Sequence, residues 1–179
     1  RYLNGTRDYG IVIYHGQGDW VLSGHADADL AGDLNTARST ISYQTQLGQY
    51  GNISFSSKLE RKICTSTGQA ETYAFASLVK EVMWERLIMS ELGLVQCRPT
   101  VCNTDNNGVI LQSKNRINHA SAKHYRISQA LIRQVRSDQI ILPNPIYTKY
   151  NVADMGTKPL PADVFKRHRD TLMGPQTCP

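Results

Sequence analysis

Four short acidic motifs constrain the fold of this chain, because each stands at the edge of a predicted helix or strand. In chain order the motifs are His25-Ala-Asp27-Ala-Asp29, Gln69-Ala-Glu71, Asn103-Thr-Asp105-Asn106 and Val152-Ala-Asp154. A helix cap or a solvated strand end explains any one of them taken alone. Together, the four acids predict a fold that brings distant carboxylates to one place.

Alternating apolar and β-branched residues in the first third of the chain predict antiparallel strands. Glycine-rich breaks separate several of these segments, which are residues 11–14, 20–22, 40–47, 52–55 and 62–64. In the first acidic motif, a period of two places His25, Asp27 and Asp29 on one face of a strand. A strand end whose acids point into water explains that motif equally well when it is taken alone.

The pattern then changes to a helical period. Ser66 to Gln69 has the spacing of a capping box and Gly93 is placed to end a helix, so a long helix is predicted between them. The later predicted elements are a strand at 100–104, a helix through Leu111, a helix over 121–137, extended segments at 140–142 and 146–147, a turn capped by Asn151 and a last helix through Leu172. Strands followed by helices that alternate with further strands predict an α/β fold with a mixed sheet. A length of 179 residues favours one domain.

Glu71 stands on the apolar side of the long predicted helix. At 100° per residue it shares that side with Phe75, Leu78 and Val82. A buried unpaired carboxylate costs several kcal/mol, so such groups are usually paired, neutralised or bound to metal. The cations that offer an alternative pairing are Lys58, Arg61 and Lys62.

The acids suit a site for divalent cations, which prefer carboxylate oxygens. Two such ions roughly 4 Å apart stabilise the attacking and leaving oxygens of a phosphoryl displacement. That chemistry needs no nucleophilic side chain, and the sequence contains no G-x-S-x-G elbow, Walker loop or Cys/His dyad. An N-cap role is the simpler interpretation of Asp105 and of Asp154 when each is taken singly.

Composition adds weaker constraints. A formal net charge of +5 suits a polyanionic partner without identifying it. The four cysteines form no C-x-x-C pair, which predicts reduced thiols in an intracellular protein and no structural zinc. There is no apolar run long enough to span a bilayer and no charged-then-apolar leader, so we expect no membrane partner.

At these motifs the chain resembles, over nearly its whole length, the ribonuclease H domain at the end of copia-type LTR retrotransposon polyproteins. The matching segments are Arg1 to Gly10 (family R-Y-L-K-G-T-x-x-x-G), Asp27 to Asp33 (D-A-D-W-A-G-D), Arg38 to Thr40 (R-x-S-T), Ile53 to Lys58 (I-S-W-S-S-K), Ser66 to Tyr73 (S-x-x-E-A-E-Y), Thr104 to Asn106 (C-D-N), Ala122 to His124 (T-K-H) and Ala153 to Leu160 (A-D-I-L-T-K-P-L).

The resemblance implies a fold, a site and a setting. It implies a ribonuclease H-like α/β fold with a mixed five-stranded sheet, the first three strands antiparallel, flanked by helices. Residues 1–20 would be the tail of the reverse transcriptase connection, 21–174 the domain and 175–179 a C-terminal tail. The setting would be cytoplasmic, within a virus-like particle, beside the reverse transcriptase region of the same polyprotein.

The resemblance also implies an activity, which is metal-dependent cleavage of the RNA strand of RNA–DNA hybrids. The family's metal-binding acids, which hold two Mg²⁺ or Mn²⁺ ions, fall on Asp27, Glu71, Asp105 and Asp154. The departures from the family pattern are Leu30 for Trp, Ser42 for Gly, Gln69 for Glu and Gly156 for Leu, and no His stands in the loop 147–151. A captured domain that serves as a structural or nucleic-acid-binding module in a larger assembly is the alternative, and an integrase or resolvase fits the motifs less well.

A basic arc on the predicted helix 121–137 is the candidate nucleic-acid contact. Lys123, Arg126, Arg133 and Arg136 share this arc, and the opposite, apolar arc consists of Ile127, Leu131, Ile132 and Val135. We expect Lys123, Arg126 and Arg133 to follow phosphates, although an ordinary solvated basic face explains the pattern as well. Asp29 and His124 are auxiliary candidates, and a packed core histidine is the commoner outcome for the latter.

Overall fold

A mixed five-stranded sheet organises the fold in the computed structural model, which describes residues 2–13, 20–49, 51–114 and 125–174. The strands are β1 (Leu22–Asp33), β2 (Arg38–Leu47), β3 (Asn52–Leu59), β4 (Thr100–Thr104) and β5 (Ile141–Pro145). Their order is β3-β2-β1-β4-β5. Strands β1 to β3 are antiparallel, and β4 runs parallel to both β1 and β5. The predicted fold class is therefore confirmed.

Helices cover the sheet. They are α1 (Tyr2–Gly5), α2 (Thr67–Glu91), α3 (Asn107–Lys114), α4 (Arg126–Ser137) and α5 (Ala162–Met173). Two 3-10 turns, Thr148–Tyr150 and Val152–Gly156, lie between β5 and α5. None of the described helices is both long and apolar enough to cross a membrane.

Helix α2 begins and ends where the sequence predicts. The side chain of Ser66, in extended conformation, accepts a hydrogen bond from the backbone N–H of Gln69 at 3.2 Å. Gly93 follows the helix with a φ of 78°, a conformation that costs glycine little. The capping box is incomplete, because the Gln69 side chain accepts from the N–H of Thr65 and not from that of the cap residue.

The core lies between α2 and one face of the sheet. The buried residues that form it include Leu22, Ala26 and Ile41 from the strands and Phe75, Leu78 and Val82 from α2. Gly24 permits the close approach, because a Cβ there would lie 2.5 Å from Cδ1 of Leu78. The predicted apolar side of α2 is therefore the side that packs on the sheet.

Two predicted strands are wrong. Residues 11–13 form no strand, and residue 14 lies outside the described residues. The Val12 N–H instead donates to the carbonyl of Met173 at the end of α5, and Ile11 and Ile13 are exposed. Residues 62–64 form the approach to α2. The first strand of the sheet is β1 itself, which begins at Leu22 and contains the first acidic motif.

Two departures from the family pattern contact each other. A Cβ at Gly156 would overlap the Ser42 hydroxyl and lie 2.8 Å from Ser42 Cβ, and Ser42 is buried. In the β1–β2 register Ser42 stands opposite Asp27. Ser42 is larger than the family's Gly, and Gly156 is smaller than the family's Leu. The two departures therefore compensate for each other in packing.

We predict that Gly156→Ala lowers the free energy of unfolding by about 1–3 kcal/mol, because the added methyl overpacks against Ser42. In the Ser42→Gly background the same change should cost less, since the overlapping atoms are gone. Urea unfolding of the four proteins of this double-mutant cycle measures the coupling, expected at about 0.5–3 kcal/mol. Additive effects would contradict the contact.

Candidate functional site

Three acids that are far apart in sequence converge in the structure. Asp27, Glu71 and Asp105 each offer a carboxylate oxygen, and these oxygens all lie within 4.8 Å of one another. Asp27 comes from β1, Glu71 from the first turns of α2, and Asp105 from the end of β4. The parallel pairing of β1 with β4 stops at His25 and Asn103, two residues before each strand's acid. We call Asp27, Glu71 and Asp105 the acid cluster.

The fourth predicted acid, Asp154, lies beside the acid cluster. Its negative charge contributes to raising the pKa of both Asp27 and Glu71. One of its carboxylate oxygens accepts from the Nζ of Lys158 at 3.1 Å. It is buried in the second 3-10 turn, whereas Lys158 remains partly exposed. Lys158 thus brings a positive charge into direct contact with this group of acids.

Asn106 and Asn151 provide the helix N-caps that the sequence alone would assign to Asp105 and Asp154. The Asn106 side chain accepts from the N–H groups of Gly108 and Val109 at the start of α3. Asn151 caps the turn that carries Asp154, accepting from the N–H of Ala153. Neither Asp105 nor Asp154 is therefore needed as an N-cap, and the simpler interpretation of each is wrong.

Hydroxyl groups hold two members of the acid cluster. Thr157 Oγ1 donates to Asp27 Oδ2 at 2.5 Å, and Thr148 Oγ1 donates to Asp105 Oδ2 at 2.7 Å. Both threonines lie in the segment between β5 and α5. Thr157 falls in the matched A-D-I-L-T-K-P-L motif, but no sequence signal marks Thr148. Each donor fixes the orientation of one carboxylate.

Glu71 has the least compensated carboxylate. Among the described residues its Oε2 has no hydrogen-bond partner, and no ion pair joins it to Lys58, Arg61 or Lys62. The backbone N–H of Ala28 provides one favourable contact. Burial, followed by the charges of Asp27 and Asp105, raises the pKa of Glu71 to about 9.

Asp27 has a similar environment. Burial raises its pKa to about 7, with a further contribution from Asp154, while the hydrogen bond from Thr157 opposes the rise. Ionising several neighbouring carboxyl groups together is costly. A bound divalent cation reduces this cost, because its positive charge stabilises the deprotonated carboxylates. All the donors are oxygens, which Mg²⁺ and Mn²⁺ accept well. The residues of the acid cluster therefore fit a divalent metal.

An amide network, buried at Asn103 and partly buried at Asn144, links the strands that carry Asp27 and Asp105. Asn144 on β5 donates to Asn103 Oδ1 at 2.8 Å, and Asn103 Nδ2 donates to the carbonyl of Gly24 at 3.1 Å. Asn103 Nδ2 also lies 3.3 Å from His25 Nε2. Burial lowers the pKa of His25 to about 4, so the ring is neutral and its Nε2 can accept. The network joins β1, β4 and β5, and its members His25 and Asn103 stand two residues before Asp27 and Asp105.

The basic arc is only partly as predicted. On α4, Arg126 is exposed and Arg133 half-buried, whereas Arg136 donates to the Ser113 hydroxyl on α3. Ile127, assigned to the apolar arc, is 88% exposed, so that assignment is wrong. Ile132 and Val135 of the same predicted arc are buried, together with Gln129. The predicted contacts Lys123 and His124 lie outside the described residues, and Asp29 is not a member of the acid cluster.

Comparison with known proteins places the chain among retrotransposon sequences. It is 36% identical over 166 residues to the retrovirus-related Pol polyprotein from transposon TNT 1-94 of Nicotiana tabacum, a match that covers 93% of this chain and 12% of that polyprotein. The corresponding protein from transposon RE2 of Arabidopsis thaliana is 36% identical over 184 residues, which is 99% of this chain and 12% of that polyprotein. The chain thus spans about one eighth of the length of these curated relatives. No family model matches it.

Solved structures agree on the fold. The crystal structure of LC11-RNase H1 in complex with an RNA/DNA hybrid superposes with a TM-score of 0.56 at 13% identity, covering 76% of this chain and 93% of the other. At that identity the likeness concerns the fold alone. This chain is therefore a homologue of one segment of the retrovirus-related Pol polyproteins of transposons, and it has the ribonuclease H fold.

Proposed function

We propose that the chain is a metal-dependent endoribonuclease that cleaves the RNA strand of an RNA–DNA hybrid during retrotransposon reverse transcription. The observation that carries the proposal is the acid cluster, in which three elements deliver carboxylates to one point. Glu71 in this cluster is buried and takes part in none of the ion pairs found among the described residues. The ribonuclease H fold and the Pol relatives support the same class of activity.

Asp27, Glu71, Asp105 and Asp154 would hold two Mg²⁺ or Mn²⁺ ions. When bound, the ions supply the charge that activates water and stabilises the leaving oxygen. The chain's own contribution is to fix the carboxylates that would bind the ions. Thr157 and Thr148 orient the carboxylates of Asp27 and Asp105. Lys158 pairs with Asp154 and offsets the negative charge that Asp154 places beside Asp27. Selectivity for the RNA strand would come from its 2′-hydroxyls, which DNA lacks.

The setting of the reaction belongs to the same proposal. The relatives are about eight times longer than the chain, which supports work beside a reverse transcriptase region of one polyprotein, inside the cell. The predicted boundaries, with residues 21–174 as the domain, remain part of this proposal. So do the phosphate contacts of Lys123, Arg126 and Arg133 and the auxiliary roles of Asp29 and His124.

The first test of the proposal is Asp105→Asn, which keeps the shape of the side chain and removes its charge. We expect cleavage of a labelled RNA–DNA hybrid in Mg²⁺ to fall by orders of magnitude, because metal ligation is lost while folding is retained. EDTA should abolish cleavage by the unmodified chain. Glu91→Gln is the matched control, since it removes an exposed acid about 30 Å further along α2 than Glu71 and should leave the rate unchanged.

Two outcomes would contradict the proposal. Equal rates for Asp105→Asn and the unmodified chain, in preparations cleared of host nucleases, would show that the acid cluster does not catalyse cleavage. A folded chain that binds the hybrid but does not cleave it in Mg²⁺ or Mn²⁺ would instead be a captured binding module.

The second test is the pH dependence of stability without metal. The folded state keeps a proton on Glu71 up to about pH 9, whereas the unfolded chain loses it near the ordinary 4.5. The free energy of unfolding should therefore decrease as pH rises between these values. Glu71→Gln should flatten that decrease and be more stable than the unmodified chain in EDTA at about pH 8. Urea unfolding across this range measures both effects.

Glu85→Gln is the matched control for Glu71→Gln. Glu85 is another buried carboxyl of α2, with its pKa raised to about 7 by burial, but it accepts from Thr45 Oγ1 and is not in the acid cluster. Replacing it should also flatten the pH dependence, over the lower part of the range. Only Glu71→Gln should diminish the stabilisation that Mg²⁺ gives the unmodified chain. If Mg²⁺ stabilises both variants equally, Glu71 is not a ligand.

A further inference from the structure

An exposed cluster of one aromatic ring and two cations joins the segment that follows β5 to helix α5. The Lys149 ammonium lies 4.7 Å from the centre of the Tyr150 ring, and the Arg167 guanidinium carbon lies 6.0 Å from it. Arg167 Nη2 also donates to the carbonyl of Lys149 at 2.7 Å, which fixes α5 to the first 3-10 turn. We call Lys149, Tyr150 and Arg167 the Tyr150 cluster.

The Tyr150 cluster adjoins the acid cluster through the chain itself. Thr148, which donates to Asp105, immediately precedes Lys149 in the same turn. Consecutive Cα atoms are about 3.8 Å apart, so Lys149 and Tyr150 begin within about 8 Å of the residue that contacts the acid. A polyanion bound with one phosphodiester at the acid cluster would therefore have neighbouring phosphates within the range of these side chains.

The two cations are available to a ligand. All three side chains of the Tyr150 cluster are exposed, and the Tyr150 residue is 50% exposed. Neither Lys149 nor Arg167 takes part in any of the ion pairs found among the described residues. A guanidinium beside a ring keeps N–H groups free to bind phosphate oxygens, and the ring limits the freedom of both cations.

We propose that the Tyr150 cluster binds the sugar–phosphate backbone of a nucleic acid strand next to the acid cluster. Lys149 and Arg167 contact successive phosphates, and the Tyr150 ring sets the spacing between them. The inference rests on the proposed function and adds a substrate-binding surface on β5–α5 that is separate from the basic arc of α4. The ligand class is a polynucleotide, because the acid cluster that it borders suits phosphodiester chemistry.

The test is binding of a labelled RNA–DNA hybrid in EDTA, where no cleavage occurs, over a series of salt concentrations. The double variant Lys149→Gln/Arg167→Gln should bind about ten- to a hundred-fold more weakly at 0.1 M salt. The slope of log affinity against log salt should become shallower by nearly two units, about 0.7–0.9 for each lost phosphate contact.

A matched double variant controls for net charge. Lys80→Gln/Arg98→Gln also removes two exposed cations, one on the solvent face of α2 and one before β4, at the strand end opposite Asp105. It should change affinity and slope much less. Arg167→Lys keeps the charge and should retain the slope, whereas Tyr150→Leu should weaken binding with a slope change below one unit.

The outcomes separate the inference from the function on which it rests. Equal losses for both double variants would show a general charge effect and overturn the inference, while cleavage by the unmodified chain would still support the proposed function. An unmodified chain that neither binds nor cleaves the hybrid would overturn both. If the Gln double variant loses its circular dichroism signal, Lys149→Gln alone decides the matter, with an expected slope change of about 0.7–0.9, and an unchanged slope overturns the inference.

Discussion

The short parallel pairing between β1 and β4 is the constraint on which the candidate site depends. It covers three residue pairs and stops at His25 and Asn103, so the next residue on the same face of each strand is an acid. A slip of one residue would turn either acid to the opposite face. The amide network through Asn144 opposes such a slip, because a shifted register would leave buried amide groups without partners.

The apolar side of helix α2 has two roles, which are to pack the core and to position Glu71. Its apolar side supplies much of the core, and the same side carries Glu71 to Asp27 and Asp105. Core packing therefore fixes the position of a carboxylate that burial makes costly to ionise. Without a cation the site adapts by holding protons, as the raised pKa values of Glu71 and Asp27 indicate. The stability of the fold and its affinity for metal should thus be linked through pH.

The sequence predicts structure correctly where the residues that determine it are close together along the chain. The limits of α2 and the burial of Glu71 follow from capping and helical period, and both are as predicted. It failed where a distant partner decides. Residues 11–13 are a β-branched apolar run of the kind found in strands, but the N–H of Val12 donates to the end of α5. Ile127 belongs to the same predicted apolar arc as Ile132 and Val135, but only the latter two are buried. Nothing in the local pattern marks Thr148, whose hydrogen bond crosses 43 positions.

The segment from Thr148 to Lys158 carries the two threonines that bind acids and also Lys149, which we propose as a contact for the nucleic acid strand. Its two threonines hold Asp105 and Asp27, and Asn151, fully buried, donates to the carbonyl of Ala26 in the middle of β1. That buried hydrogen bond anchors the segment to the sheet between its two contacts with acids. The exposed Lys149 therefore stands on a fixed support, and its carbonyl binds the second cation of the Tyr150 cluster, Arg167 of α5. Changing their charge should act on affinity for the strand, while the positions of Asp27 and Asp105 are kept by hydrogen bonds that these cations do not make.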